Sequence, residues 1–291
     1  MNYSILKYIL GYVLKIEAAF MLLPCVTSLI YHEKEGRYFF LVACVCMLLG
    51  VLMTYRKPKN TVFYLKEGCL ATSLSWIILS LFGAIPFWIS GEIPQWENAL
   101  FETISGFTTT GATVLSNVEG LSHTALIWRS FTHWIGGMGV LVFLLAILPL
   151  SGGSSINLMR AESPGPSVGK LVPKVRYTAM ILYTIYFGMT VIEFIFLLAG
   201  KMPVFDALNI SFATAGTGGF GVTNAGIASY SNYLQTVIAV FMMLFGINFS
   251  VYILILAKKF KQAFRIQELW VYFGILVLST ALIAFNIRTL Y

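Results

Sequence analysis

Charge is what this sequence has least of. Charged residues fill 11% of its 291 positions, against about 25% in an average soluble domain. With 58% apolar residues, that scarcity excludes a single water-soluble core. Several apolar runs reach the roughly 20 residues that cross a hydrocarbon core, so the chain reads as a polytopic membrane protein whose first partner is the lipid bilayer. Cysteine is scarce too. Cys25, Cys44, Cys46 and Cys69 lie in or beside apolar runs, and none has metal-ligand spacing with a histidine; they read as small packing residues. No catalytic triad or zinc motif is present. Gly216-Thr217-Gly218-Gly219-Phe220-Gly221 is glycine-rich, but no Lys-Ser/Thr pair follows and no βαβ pattern surrounds it, which excludes a phosphate loop. No small-residue cleavage site follows the first apolar run, so that run is expected to be a retained span. The net charge of +7 does not signal a nucleic-acid partner, because the basic residues fall mostly in short loops between apolar runs.

Those runs predict seven spans, at about Ile5–Ile30, Tyr38–Tyr55, Glu67–Ser90, Ala125–Leu150, Tyr177–Ala199, Leu234–Ala257 and Leu269–Ile287. Pro24 is expected to kink the first. With the N-terminus in the cytoplasm, twelve basic residues occupy inner loops, among them Arg56, Lys57, Arg160, Lys258 and Lys259, while outer loops hold only Lys34, Arg37 and Lys201. That imbalance sets the expected orientation.

Two polar stretches are too short to span. Asn98–Thr113 reads NALFETISGFTTTGAT, and Asp206–Asn224 lies between the fifth and sixth spans. Asn98-Ala99-Leu100 opens the first and Asp206-Ala207-Leu208 the second; thirteen residues on from each opening stand Gly111 and Gly219, at a common offset of 108. The repeating unit is span, half-helix, Thr/Gly loop, span. A half-helix descending from outside brings its partially negative C-terminal end to mid-membrane, which favours a cation. An extended Thr/Gly segment can replace hydration water with carbonyl oxygens. No Asp or Glu occurs within Thr108–Thr113 or Ala215–Gly221, which argues against a divalent-ion filter.

Among the remaining polar residues, Glu102 either attracts cations at the mouth or braces the filter by hydrogen bonds, and bracing is favoured. Arg129 either snorkels or pairs with a carboxylate such as Glu102. His123 and His133 are read as interfacial or packing residues, since no chain of ionisable partners accompanies them. Glu193 lies deep in the fifth span and needs a partner. Asn248, after Gly246, is expected to hydrogen-bond between helices. The glycines of Trp134-Ile135-Gly136-Gly137-Met138-Gly139 are expected to allow close backbone approach.

These motifs carry a resemblance. Phe101-Glu102-Thr103-Ile104-Ser105-Gly106-Phe107-Thr108-Thr109-Thr110-Gly111-Ala112, the Trp134–Gly139 run, Arg160-Ala161-Glu162 with Pro164-Gly165-Pro166, and Ser211-Phe212-Ala213-Thr214 followed by Gly218-Gly219-Phe220 resemble the Trk/Ktr/HKT superfamily of potassium transporters, and within it the bacterial TrkH/TrkG branch. The resemblance implies an all-α membrane fold with four span–pore-helix–span repeats around one pore. It divides the chain into two extra N-terminal spans (1–60), a first pore repeat (61–165), a second (166–265) and the opening helix of a third (266–291). On that basis the chain is expected to be a piece of a longer protein, truncated after the second repeat. The resemblance implies backbone-carbonyl contacts to K+ from Thr109, Thr110 and Gly111, and from Thr217, Gly218 and Gly219; the second loop lacks the Thr-Thr-Gly form, which leaves Gly218 as an alternative to Gly219 for the key glycine. It further implies residence in the bacterial cytoplasmic membrane, a homodimer and a cytosolic nucleotide-binding regulatory subunit, with K+ as cargo and no organic cofactor. Two other function classes stand beside it: a secondary transporter coupling cation flux to sodium or protons, and a polytopic membrane enzyme, for which no convergent nucleophile and base are present.

Overall fold

The computed structural model describes residues 2–58, 65–139 and 175–288. Among them, all regular structure is helical. The first expected span is two helices, α1 (Tyr3–Phe20) and α2 (Leu22–Tyr31), joined at Met21. Pro24, in the first turn of α2, has no N–H to give the Phe20 carbonyl, so the break falls where proline dictates. The next helix, α3 (Gly36–Thr54), packs along α1 and α2. α4 (Leu65–Ser90) rests on α1, α3 and α5 (Trp96–Phe107). α6 (His123–Met138) covers the described part of the fourth expected span; the rest of that span, and nearly all of the loop carrying Arg160-Ala161-Glu162, lie outside the described residues.

The second half repeats the plan. α7 (Val175–Ala199) is followed by α8 (Val204–Ala215), which packs on α6, α7 and α9 (Asn232–Phe245). The expected sixth span is not one helix. α9 and α10 (Phe249–Leu256) meet at 87°. Asn248 causes the break: its Oδ1 accepts from the Ser250 N–H at 2.9 Å, starting a new helix, and its Nδ2 donates to Glu268 at 2.7 Å. A short turn, α11 (Phe260–Ala263), leads to α12 (Gln267–Arg288), of which Leu269 alone is buried.

Among the described residues, five helical segments, with α1 and α2 taken together as one, are long and apolar enough to cross a membrane, and the bent α9–α10 pair makes a sixth when taken as one span. The chain is a multi-pass membrane protein, and its described part is all-helical. Its main apolar cluster, with Phe39, Phe87, Phe107 and Trp128 fully buried, fuses the N-terminal helices to α4, α5 and α6.

Candidate functional site at two paired loops

α5 and α8 are each 12 residues long, about 18 Å at 1.5 Å per residue, which is short of a bilayer core. Both end the same way. After α5, the Thr109 N–H donates to the Gly106 carbonyl at 3.0 Å and the Thr110 N–H to the Ser105 carbonyl at 2.9 Å. After α8, the Thr217 N–H donates to Thr214 at 2.8 Å and the Gly218 N–H to Ala213 at 3.0 Å. Every donor and acceptor keeps the offset of 108. This pair of bonds is the Schellman helix stop, whose left-handed residue is usually glycine. Here it is threonine in both loops: φ is 54° at Thr109 and 56° at Thr217. A β-branched residue in that region is an outlier, costing about 1–2 kcal/mol. Two residues on, Gly111 and Gly219 have φ of 72° and 81°. The backbone therefore pairs Gly111 with Gly219, whereas Gly218 pairs with Thr110.

The loops meet. A Cβ on Gly111 would lie 1.8 Å from the Gly218 carbonyl oxygen, so only glycine permits the approach. α6 runs behind both loops and presents Arg129, Thr132, His133, Gly136 and Gly137, at the spacing of one helical face. A Cβ on Gly136 would sit 2.3 Å from the Phe107 carbonyl oxygen, and one on Gly137 2.8 Å from the Gly216 Cα. The close approach expected of the Trp134–Gly139 glycines is thus to the ends of α5 and α8.

Glu102 and Arg129 are fully buried and paired at 3.0 Å. The Glu102 carboxylate also accepts from the Thr113 hydroxyl and, at 2.8 Å, from the Val114 N–H, holding the first loop from behind. Arg129 donates to the Gly221 carbonyl at 3.0 Å and lies 3.6 Å above the Phe220 ring, holding the second. One ion pair thus anchors both segments, and Glu102 braces as expected. His133 is buried, stacks on Phe220 at 4.0 Å and fills the space over Gly218; it packs, also as expected.

Two further supports lie outside the sequence motifs. Asn224, beyond the second loop, accepts from the Val118 N–H at 2.7 Å while its own N–H donates to Glu119 at 2.9 Å, tying together the chain after both loops. Glu33, in the short link after α2, accepts from the His123 and Thr124 N–H groups at 2.8 and 2.9 Å and from the Thr124 hydroxyl, capping the N-terminus of α6. Burial works to raise the Glu33 pKa, but the hydrogen bonds from Thr124 and His123 outweigh it and leave the carboxyl below its ordinary value. Such long-range caps have no local pattern to reveal them. Glu193 and Glu17 remain buried, with neither carboxylate oxygen in hydrogen-bond geometry with a partner among the described residues.

Comparison with known proteins identifies the family. The family model TrkH, a cation transport protein, matches residues 35–290. The Trk system potassium uptake protein TrkH of Escherichia coli (strain K12) is 35% identical over 282 residues, 94% of this chain and 58% of that protein. TrkG of the same strain is 33% identical over 270 residues, 91% of this chain and 56% of its own length. The crystal structure of the potassium transporter TrkH from Vibrio parahaemolyticus superposes with a TM-score of 0.81 at 26% identity, covering 96% of this chain and 57% of that one. The chain thus spans a little over half the length of the relatives it matches. It belongs to the TrkH family of cation transport proteins.

Proposed function

We propose that this chain forms part of a pathway that carries potassium ions across the bacterial cytoplasmic membrane. The carrying observation is that two short helices end in loops of the same backbone conformation which meet at Gly111 and Gly218. In this reading the carbonyl oxygens of Thr109, Thr110, Gly111, Thr217, Gly218 and Gly219 replace the hydration shell of K+, and the C-terminal ends of α5 and α8 add partial negative charge. The relatives are named for potassium uptake. The two loops supply two of four equivalent strands, within pore repeats at 61–165 and 166–265 that follow two accessory spans at 1–60, with 266–291 opening a third. The N-terminus is cytoplasmic, and a homodimer bearing a cytosolic nucleotide-binding regulatory subunit is the expected assembly. No covalent chemistry is required.

The test is Gly111→Ser in the protein carrying this sequence, expressed in cells deficient in potassium uptake. Selectivity for K+ over Na+ should fall while membrane insertion is retained; unchanged selectivity sinks the reading. A second reading, in which flux is coupled to protons, draws on the buried carboxyl groups of Glu17 and Glu193, because intramembrane acids commonly serve proton relays. It requires a pH gradient alone to drive uptake into proteoliposomes, and Glu193→Gln to abolish that drive.

A further inference from the structure

Where the chain leaves α10, it makes the same helix stop as the two loops, but on a different chemistry. The Lys258 N–H donates to Ile255 and the Lys259 N–H to Leu254, each at 2.9 Å, with Lys258 at φ 58°. The turn α11 follows, and buried Ala263 fixes it to Ile247, Val251, Leu254 and Leu269. The segment is therefore docked on the protein before any ligand arrives. Lys258, Lys259, Lys261 and Arg265 line an open recess of about 390 Å³ together with Phe260 and Gln262. None of the four cations has an ion-pair partner among the described residues. The nearest acid in sequence, Glu268, accepts a hydrogen bond from Asn248.

Apolar side chains surround this charge. Leu256, Phe260 and Phe264 are 68%, 53% and 55% exposed, and Trp270, also exposed, donates its indole N–H to the Phe264 carbonyl. Exposed aromatics beside a basic recess at the end of an apolar helix match the boundary between acyl chains and headgroups. A soluble acidic partner satisfies the cations but not the apolar side chains of Leu256, Phe260 and Phe264 beside them, whereas an anionic lipid satisfies both.

We propose that this recess binds the phosphate of an anionic phospholipid, with Phe260 and Phe264 seated among its acyl chains. The proposal rests on membrane placement and is independent of which ion is carried.

The test uses the full chain in neutral detergent, titrated with phosphatidylglycerol or phosphatidylcholine bearing brominated acyl chains. Tryptophan quenching is read, and Trp270→Phe isolates the local signal. Phosphatidylglycerol should associate at least about tenfold more tightly, since each basic residue near a surface contributes about fivefold. Changing all four cations to Gln should erase that preference while leaving quenching by phosphatidylcholine intact; exchanging each Lys for Arg, and Arg265 for Lys, should preserve it. If the Gln variant does not fold, salt decides on the native chain: the preference should collapse between low salt and about 0.5 M. Equal quenching by the two lipids overturns the proposal, and is the result expected if this face meets only a soluble protein. So does a preference that survives neutralisation or high salt, or that inorganic phosphate alone abolishes.

Discussion

The two loops share a backbone and little else. The first, Thr108-Thr109-Thr110-Gly111, is held largely by side chains. Thr108 and Thr110 hydroxyls lie 2.9 Å apart, Ser105 Oγ donates to the Ala112 carbonyl at 2.6 Å, and Glu102 grips Thr113 and Val114. The second, Gly216-Thr217-Gly218-Gly219, has almost no side chains to hold it. It is pressed against α6 instead: a Cβ on Gly216 would fall 2.4 Å from the His133 carbonyl oxygen, and one on Gly218 2.4 Å from the His133 ring. The lesson is that the constrained quantity is the path of the main chain. Side-chain hydrogen bonds fix it in one place and steric enclosure in the other.

Four sets of substitutions break or sharpen that contrast. The largest effect is expected for Arg129→Ala, which leaves Glu102 buried without its partner and frees the Gly221 carbonyl. Removing one member of a buried pair costs about 3–5 kcal/mol, read as lost thermal stability in micelles. Arg129→Met with Glu102→Leu should cost clearly less than the sum of the two single changes. Next is Gly218→Ala, expected to cost about 1–3 kcal/mol through overpacking against His133 and to be partly rescued by His133→Ala. Its counterpart in the first loop, Thr110→Ala, should cost under about 0.5 kcal/mol because Thr110 is exposed. Equal costs at 110 and 218 would erase the distinction drawn above.

Third, Thr109→Gly and Thr217→Gly should each stabilise by up to about 1 kcal/mol by relieving the left-handed threonine. Neutral or negative outcomes would mean that these residues are not left-handed in the membrane. Last is Glu33→Gln, about 1 kcal/mol or less, the size of a helix cap, and it should fall on both loops alike, since both lean on α6. Because the Glu33 pKa is depressed in the folded state, its contribution is present above its ordinary value of 4.5 and is lost as pH falls through the folded value. Glu33→Gln should therefore flatten the acid side of the stability profile and leave neutral and alkaline pH nearly parallel to the parent.

Much of this was legible from local pattern. The apolar runs located the long helices, Pro24 marked the break in the first span, and the offset of 108 aligned the loops. The Glu102–Arg129 pair was reachable because two opposite charges in an apolar sequence have few other partners. Which of Gly218 and Gly219 is the backbone counterpart of Gly111 was not legible, since either fits a Thr/Gly string; the helix stop at Thr217 aligns Gly219 with it. Nor was the 87° turn at Asn248, read as an interhelical hydrogen-bonding residue. It does reach Glu268, but its carbonyl side also caps α10, and hydropathy cannot distinguish a bent run of apolar residues from a straight one. Glu33 and Asn224 act on partners 90 and 106 residues away, beyond any short-range signal.

That turn has a consequence for membrane crossing. α9 has 14 residues, so at 1.5 Å per residue it extends about 21 Å, against a hydrocarbon thickness of about 30 Å. Because α10 departs almost at right angles, it adds little along the α9 axis. As one straight helix, residues 232–256 would extend about 37 Å. The turn at Asn248 is therefore what gives up a crossing that the apolar run is long enough to make.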